Sequence, residues 1–184
     1  QPHKISNIYK SLVIQSPDKF DKLHEAWLSD IPSLSNEDWM EALRSPREAA
    51  IASQFRLIQL KYLHRVYYTR ERLWRRGLIA SGQCLRCNLS MGHFLHTVWD
   101  CVVVREFWEE VLSCLEGVLR YSITRDPKCI LLHIQEDVDG NRYRKTLLWL
   151  GLTLAKRDFA KYWGVVERPR LSEWQLGMNH CMSM

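Results

Sequence analysis

Eighteen consecutive residues, Cys84 to Cys101 (CLRCNLSMGHFLHTVWDC), carry three thiols and an imidazole in the order Cys84-x2-Cys87-x8-His96-x4-Cys101. That is a full donor set for one tetrahedral zinc ion, which accepts sulfur and nitrogen and takes four protein ligands where its role is structural. A fully ligated ion has no position for water, so the expected metal is a staple and not a catalyst. His93, three residues before His96 and on the same face of a helix, is an alternative fourth donor. Two other readings compete. The cysteines could be unligated core residues in a reducing compartment. A redox Cys-x-x-Cys is the third reading, but the strand-helix pattern of the thioredoxin type is missing around the pair.

A chain of 184 residues is long enough to bury a core without disulfides. Six cysteines, three of them clustered at metal spacing, argue against a secreted disulfide scaffold, and Cys114 and Cys129 are expected to be buried and inert. No run of eighteen apolar residues occurs, and QPHKISNIYK lacks a signal-peptide core. The expectation is a soluble, intracellular protein of cytoplasm and nucleus with no membrane partner. The missing initiator Met suggests a piece of a longer polyprotein or fusion. No Gly-rich phosphate loop, nucleophile elbow or His-Glu-x-x-His helix is present, so the chain is expected to bind and not to be an enzyme.

The net charge of +5 is unevenly placed: residues 44–76 hold nine Lys and Arg against two acidic residues, whereas residues 1–43 hold four against seven. A second basic excess lies in residues 144–184. Such concentration is the footprint expected of a polyanion partner, although a charge run is also what a solvated helix face looks like.

Most of the chain reads as helix. Ser16-Pro17 starts one with Phe20, Leu23 and Trp27 inward, and Ser35 caps the next, with Leu34 and Trp39 as a hydrophobic staple. Ser45-Pro46-Arg47-Glu48 reads as a capping box opening a third helix. On that helix Ile51, Phe55, Ile58, Tyr62 and Val66 form a core arc, and Lys61, His64, Arg65 and Tyr68 an aromatic and cationic arc. Thr69 is expected to cap RERLWRR, which Gly77 closes in a left-handed conformation. After Cys101, a helix capped by Asp100 should bury Phe107, Trp108, Val111, Leu115 and Val118. ITRDPKCILLHI is a buried loop, strand or helical turn, and DVDGN at 137–141 is a turn. A long helix over 144–163 should place Lys156, Arg157 and Lys161 near its C-terminal end, where cations suit the helix dipole. Ser172 and Gln175 box a last short helix.

The segments YLHRVYYTRERLWRRGLI, CLRCNLSMGHFLHTVWDC and VVVREFW together resemble the C-terminal zinc-knuckle region of reverse transcriptase polyproteins from non-LTR retrotransposons of the long interspersed element type. RKTLLWLGLTLAKRDFAKYWG and LSEWQLGMNHC resemble the extreme C-terminus of the same polyproteins, so the resemblance runs from about Ile5 to the end. It implies Cys84, Cys87, His96 and Cys101 as the Zn2+ ligands, which selects His96 over His93. It further implies a nucleic-acid-binding domain that helps hold template RNA during target-primed reverse transcription. Endonuclease and polymerase activities would lie in upstream reverse transcriptase domains, themselves expected partners.

The resulting expectation is a mainly α, multi-helix protein with an inserted Cys-Cys-His-Cys zinc knuckle. Residues 1–44 form a helical N-terminal segment, and residues 45–184 hold the basic helices, the knuckle and the C-terminal helices, all taken as one domain. RNA, or single-stranded or duplex DNA, would meet Arg56, Lys61, Arg65, Tyr68, Arg70, Arg72, Arg75, Arg76 and Arg86, with stacking on Tyr67, Tyr68 or Trp74. The rival expectation is a protein-interaction module docking on the polymerase or a host factor, because eight tryptophans are many for this length.

Overall fold

Local capping chemistry sets the first helices. The computed structural model describes residues 17–48, 53–134 and 142–183, and the chain divides into two units, Gln1–Trp39 and Met40–Met184. The expected Ser16 cap and the DVDGN turn lie outside the described residues. Helix α1 (Pro17–Asp30) buries Trp27, and Ile31 and Leu34 beyond its end are buried as well. The His24 ring stacks on Trp39 at 4.9 Å between centroids. Helix α2 (Asn36–Glu48) opens on a reciprocal capping box: the Ser35 Oγ accepts the Asp38 N–H, and the Asp38 carboxylate accepts the Ser35 N–H, both at 3.0 Å.

Ser45 does not start a new helix. Pro46 lies inside α2, and its ring removes the N–H that would have bonded to the Ala42 carbonyl. The Ser45 hydroxyl takes over that carbonyl at 2.9 Å, so the helix passes its proline with the acceptor satisfied. Helix α3 (Ser53–Leu63) buries Phe55, Gln59, Tyr62 and Leu63 and ends earlier than its apolar arc suggests. Arg65 turns left-handed at φ 49°, its N–H on the Tyr62 carbonyl (2.9 Å) and the Val66 N–H on that of Lys61 (3.1 Å). This is a Schellman stop with arginine where glycine is usual. Val66 and Tyr68 therefore lie off the helix, and Val66 is exposed.

Helix α4 (Arg70–Arg75) is capped by Thr69, whose hydroxyl accepts the Arg72 N–H. Gly77 at φ 70° closes it, with Gly77 N–H on Trp74 O (2.8 Å) and Leu78 N–H on Leu73 O (3.0 Å). Helix α5 (Val102–Leu119) has Cys101 at its N-cap position, one residue later than expected from Asp100. Its inward face is Val104, Phe107, Trp108, Val111, Leu112, Leu115 and Leu119, while Val118 is exposed. The ambiguous ITRDPKCILLHI resolves into α6 (Pro127–Leu132), capped by the Asp126 carboxylate on the Lys128 N–H at 2.7 Å.

Helix α7 (Arg142–Lys161) packs on α3, α5 and α8 (Leu171–Met182). Leu148, Trp149, Leu152, Leu154, Ala155 and Phe159 are all buried, so its middle is enclosed on every side. Arg170 precedes α8 without a side-chain cap, so the Ser172 box does not form. A Cβ on Gly151 would meet the buried Leu115 side chain at 2.7 Å, which shows how closely α5 and α7 approach. The Gly151 carbonyl also accepts the Trp174 indole N–H at 2.9 Å.

Lys156 is not at a wet helix end. It is fully buried, with Nζ 2.6 Å from Gln59 Oε1, 2.9 Å from the Leu131 carbonyl and 2.9 Å from His133 Nε2. An ammonium would force Nε2 to accept and put the imidazole proton on Nδ1, which is buried without a partner. A neutral amine accepting from Nε2–H avoids that orphaned donor. Burial pushes both groups in the matching direction, holding Lys156 and His133 well below their ordinary values.

Two outcomes follow from this packing. Gly151→Ala is expected to destabilise the protein by about 1–3 kcal/mol through overpacking, despite alanine's better helix propensity, read as a lower urea midpoint. For His133, the unfolded chain takes up its proton first as pH falls. Its contribution is therefore complete above about pH 6.5 and lost below it, and the fall in urea midpoint between about pH 7.5 and 5.5 should be smaller in His133→Gln than in wild type.

Candidate metal centre and adjoining basic surface

The first two donors sit on a loop whose stem is closed by backbone pairing. Gln83 and Met91 form an antiparallel bridge, the Gly92 N–H reaches Gly82 O at 2.8 Å, and the Cys84 N–H reaches Ser90 O at 2.8 Å. Within the loop Asn88 is left-handed at φ 55°, a conformation asparagine tolerates better than most side chains. This turn aims the Leu89 and Ser90 amides at the Cys87 sulfur. Burial opposes ionisation of Cys87, but those amides and the Cys84 and Cys101 thiols lower its pKa on balance.

The second pair of donors needs a wider turn than an α-helix provides. With about 3.6 residues per turn, a five-residue step would leave His96 and Cys101 roughly 140° apart. Residues His96–Asp100 instead form a π-helical turn, closed by the Cys101 N–H on the His96 carbonyl at 3.0 Å, and this wider turn leaves a smaller angle between the two donors. Buried Phe94, Leu95 and Val98 hold this turn inward, and the Trp108 indole N–H bonds the Val98 carbonyl at 2.7 Å, fixing it to α5.

The result is one cluster. The donor atoms of Cys84, Cys87, His96 and Cys101 all lie within 4.8 Å of one another. The Cys84 and Cys101 sulfurs are 3.8 Å apart and unbridged, and the Cys87 sulfur is 3.3 Å from His96 Nε2. Metal–sulfur bonds of about 2.3 Å at a tetrahedral angle put two sulfurs about 3.8 Å apart, so the donors could hold one such ion. Burial, followed by the nearby His93, lowers the His96 pKa and favours the neutral imidazole that ligation requires. Burial drives the Cys101 thiol up to about 11; the Val103 amide draws it down and Cys84 raises it again. A buried thiol such as Cys101, which resists ionisation alone, is one that a divalent cation would convert to a thiolate. His93 stands outside the cluster: its Nδ1 accepts the His96 N–H at 3.2 Å. Cys114 is half-buried, while Cys129 is buried and driven up to about 12, mainly by burial.

Helix α4 is fastened to this loop. The Arg70 guanidinium donates to Ser81 O (3.1 Å) and Gln83 O (3.3 Å), and the Glu71 N–H reaches Gly92 O at 3.3 Å. A Cβ on Gly92 would come within 2.9 Å of the Arg70 Cβ, so glycine there permits the contact. Arg86, within the loop, points inward: it donates to the Tyr162 and Glu167 carbonyls and lies over the Phe159 ring at 4.8 Å. Burial lowers its pKa, and Cys84 and Cys101 raise it.

The remaining basic residues fall into distinct environments. Arg56 and Lys61 are exposed on α3. Arg65 places its guanidinium over Phe94 at 4.7 Å, and Arg75 pairs with Glu71 at 2.7 Å. Arg72 and Arg76 are exposed and approach the Tyr68 ring at 5.4 and 5.3 Å, and among the described residues neither has a carboxylate partner. Tyr68 is 51% exposed. Tyr67 stacks on Trp163 at 4.7 Å, and the Trp163 indole N–H donates to the Tyr68 carbonyl at 2.8 Å. Beside the metal cluster Tyr68, Arg70, Leu73, Leu85, Arg86 and Trp163 line a cleft of about 400 Å³. Sequence reasoning missed Trp163, which lies far along the chain from Tyr68 with no local signal to connect them.

No protein-family model matches the chain.

If the four donors hold a metal, Cys84→Ser and Cys101→Ser should each lower stability by about 4 kcal/mol or more. A chelator should lower the thermal midpoint of wild type and leave those variants unmoved.

Proposed function

We propose that this chain is a zinc-stabilised nucleic-acid-binding accessory domain of a non-LTR retrotransposon reverse transcriptase, with RNA as its main ligand. Its task would be to hold template RNA during target-primed reverse transcription. The observation that carries the reading is the pair of exposed guanidiniums of Arg72 and Arg76, gathered at the exposed Tyr68 ring without carboxylate partners among the described residues. Other arginines pair with carboxylates, as Arg168 does with Glu110 at 2.9 Å and Arg125 with Glu116. Uncompensated cations around a stacking ring are what single-stranded backbone neutralisation calls for.

Zinc is the ion that three thiols and one imidazole favour, and the resemblance of the knuckle to the retrotransposon family points to the same metal. When bound, it would lock the loop and with it the angle of α4. Three thiolates outnumber the two charges of the ion, and Arg86 is placed to balance the excess. Nothing in this arrangement leaves a coordination position for chemistry, which supports a binding role over an enzymatic one.

Exposed Trp74, Leu78 and Leu89 favour the second reading, a module that docks on the polymerase or a host protein. Fluorescence anisotropy with a labelled single-stranded RNA across a salt series separates the two. Each neutralised phosphate adds about 0.7 to the logarithmic salt slope for a single strand. Replacing Arg72 and Arg76 together with glutamine should reduce that slope by about 1.4 without changing thermal stability. A folded, zinc-loaded chain that binds no RNA near physiological salt would leave the docking module.

A further inference from the structure

We propose that the cleft beside the metal cluster is a base-binding site that seats one unpaired base of a single-stranded nucleic acid against Tyr68, with the adjoining phosphates on Arg72 and Arg76. The inference rests on the nucleic-acid reading and adds to it where on the surface the strand is read and by what contact.

Four features of the cleft converge on this occupant. Its volume of about 400 Å³ falls in the range of ligand pockets, roughly 300–1,000 Å³. Its walls include two aromatic rings, Tyr68 and Trp163, and two aliphatic side chains, Leu73 and Leu85, which suits the flat π-face of a base better than its polar edge. Tyr68 lines the cleft and is also the ring on which Arg72 and Arg76 converge. An apolar slot and a pair of phosphate-binding cations therefore share one side chain. An uncharged ligand would leave those cations unanswered, and an acidic peptide would not use the aromatic walls.

The geometry is held from behind. Arg70, at the cleft, is tied to the Ser81 and Gln83 carbonyls of the metal loop. Trp163 is tied to the Tyr68 backbone and stacked on Tyr67. Walls fixed in this way require little ordering on binding, which lowers its entropic cost. A duplex keeps its bases stacked inside the helix, so the slot selects single-stranded segments, loops or ends. Contact through a ring face also predicts tolerance of base identity.

The test compares a short labelled oligouridylate with a strand of equal length and charge from which the bases have been removed, each titrated with the metal-loaded chain across a salt series. A deoxyribose strand run in parallel separates RNA from DNA as the source of the base. The base-bearing strand is expected to bind about ten-fold tighter or more than the abasic one. Tyr68→Ala should abolish that difference and Tyr68→Phe should keep it, and Tyr68 is exposed enough for both variants to fold. The salt slope should be unchanged in Tyr68→Phe, because the phosphate contacts belong to the arginines. Equal affinity for the two strands, or a base preference that persists in Tyr68→Ala, overturns the cleft assignment while leaving nucleic-acid binding in place. Failure of a folded, metal-loaded chain to bind either strand overturns the nucleic-acid reading itself, and the cleft proposal with it.

Discussion

The hydrogen bond from the Cys101 N–H to the His96 carbonyl closes the turn that carries two of the four clustered donors. It is an i to i−5 bond, and it persists because the turn it closes is anchored twice, by buried Phe94, Leu95 and Val98 and by the Trp108 indole on the Val98 carbonyl. The bond also sets the start of α5, since Cys101 is both the last donor and the cap of that helix. A shift of one residue in this turn would rotate His96 away from Cys87 and tilt α5 at its first turn. Donor geometry and core packing are thus set by a single backbone register.

The arginines of the surface fall into three environments. Where arginine meets carboxylate, as at Arg168 and Arg125, the pair closes a structural join between α5 and a following loop. Arg70 and Arg86 go to backbone carbonyls, holding α4 and the end of α7 against the metal loop. Arg72 and Arg76 meet at the Tyr68 ring, Arg72 also donating to the Arg65 carbonyl and Arg76 to the Tyr68 hydroxyl, and neither meets a carboxylate among the described residues. Exposed ion pairs contribute about 0–1 kcal/mol each, so leaving two arginines unpaired costs the fold little. It keeps their full charge available at the surface.

Some of this was legible in the sequence because the signal was local. The donor spacing, the Ser35 cap, the Thr69 cap and the Gly77 stop each depend on residues within a few positions of one another, and each forms. What misled was local chemistry put to another use. Ser45-Pro46 has the composition of a helix start, but the serine hydroxyl repairs the bond its proline neighbour breaks. Arg65 hides a helix stop because glycine is the residue that normally marks one. Lys156 looked like a wet cation, and only the convergence of Gln59, Leu131 and His133 from α3 and α6 shows it to be a buried amine. The cleft is non-local in the same sense, since Tyr68 and Trp163 meet only when α7 is in place.

That separation in sequence has a consequence for the order of assembly. The metal loop joins donors spread over only eighteen residues, so its closure entropy is small and it can form early. The slot beside it waits for the far end of α7 to arrive, a contact of high sequence separation. During synthesis from the N-terminus, a chain long enough to gather the four donors would still lack the wall that Trp163 provides. Metal capture would therefore precede completion of the cleft, and the two could be observed as separate kinetic steps in refolding.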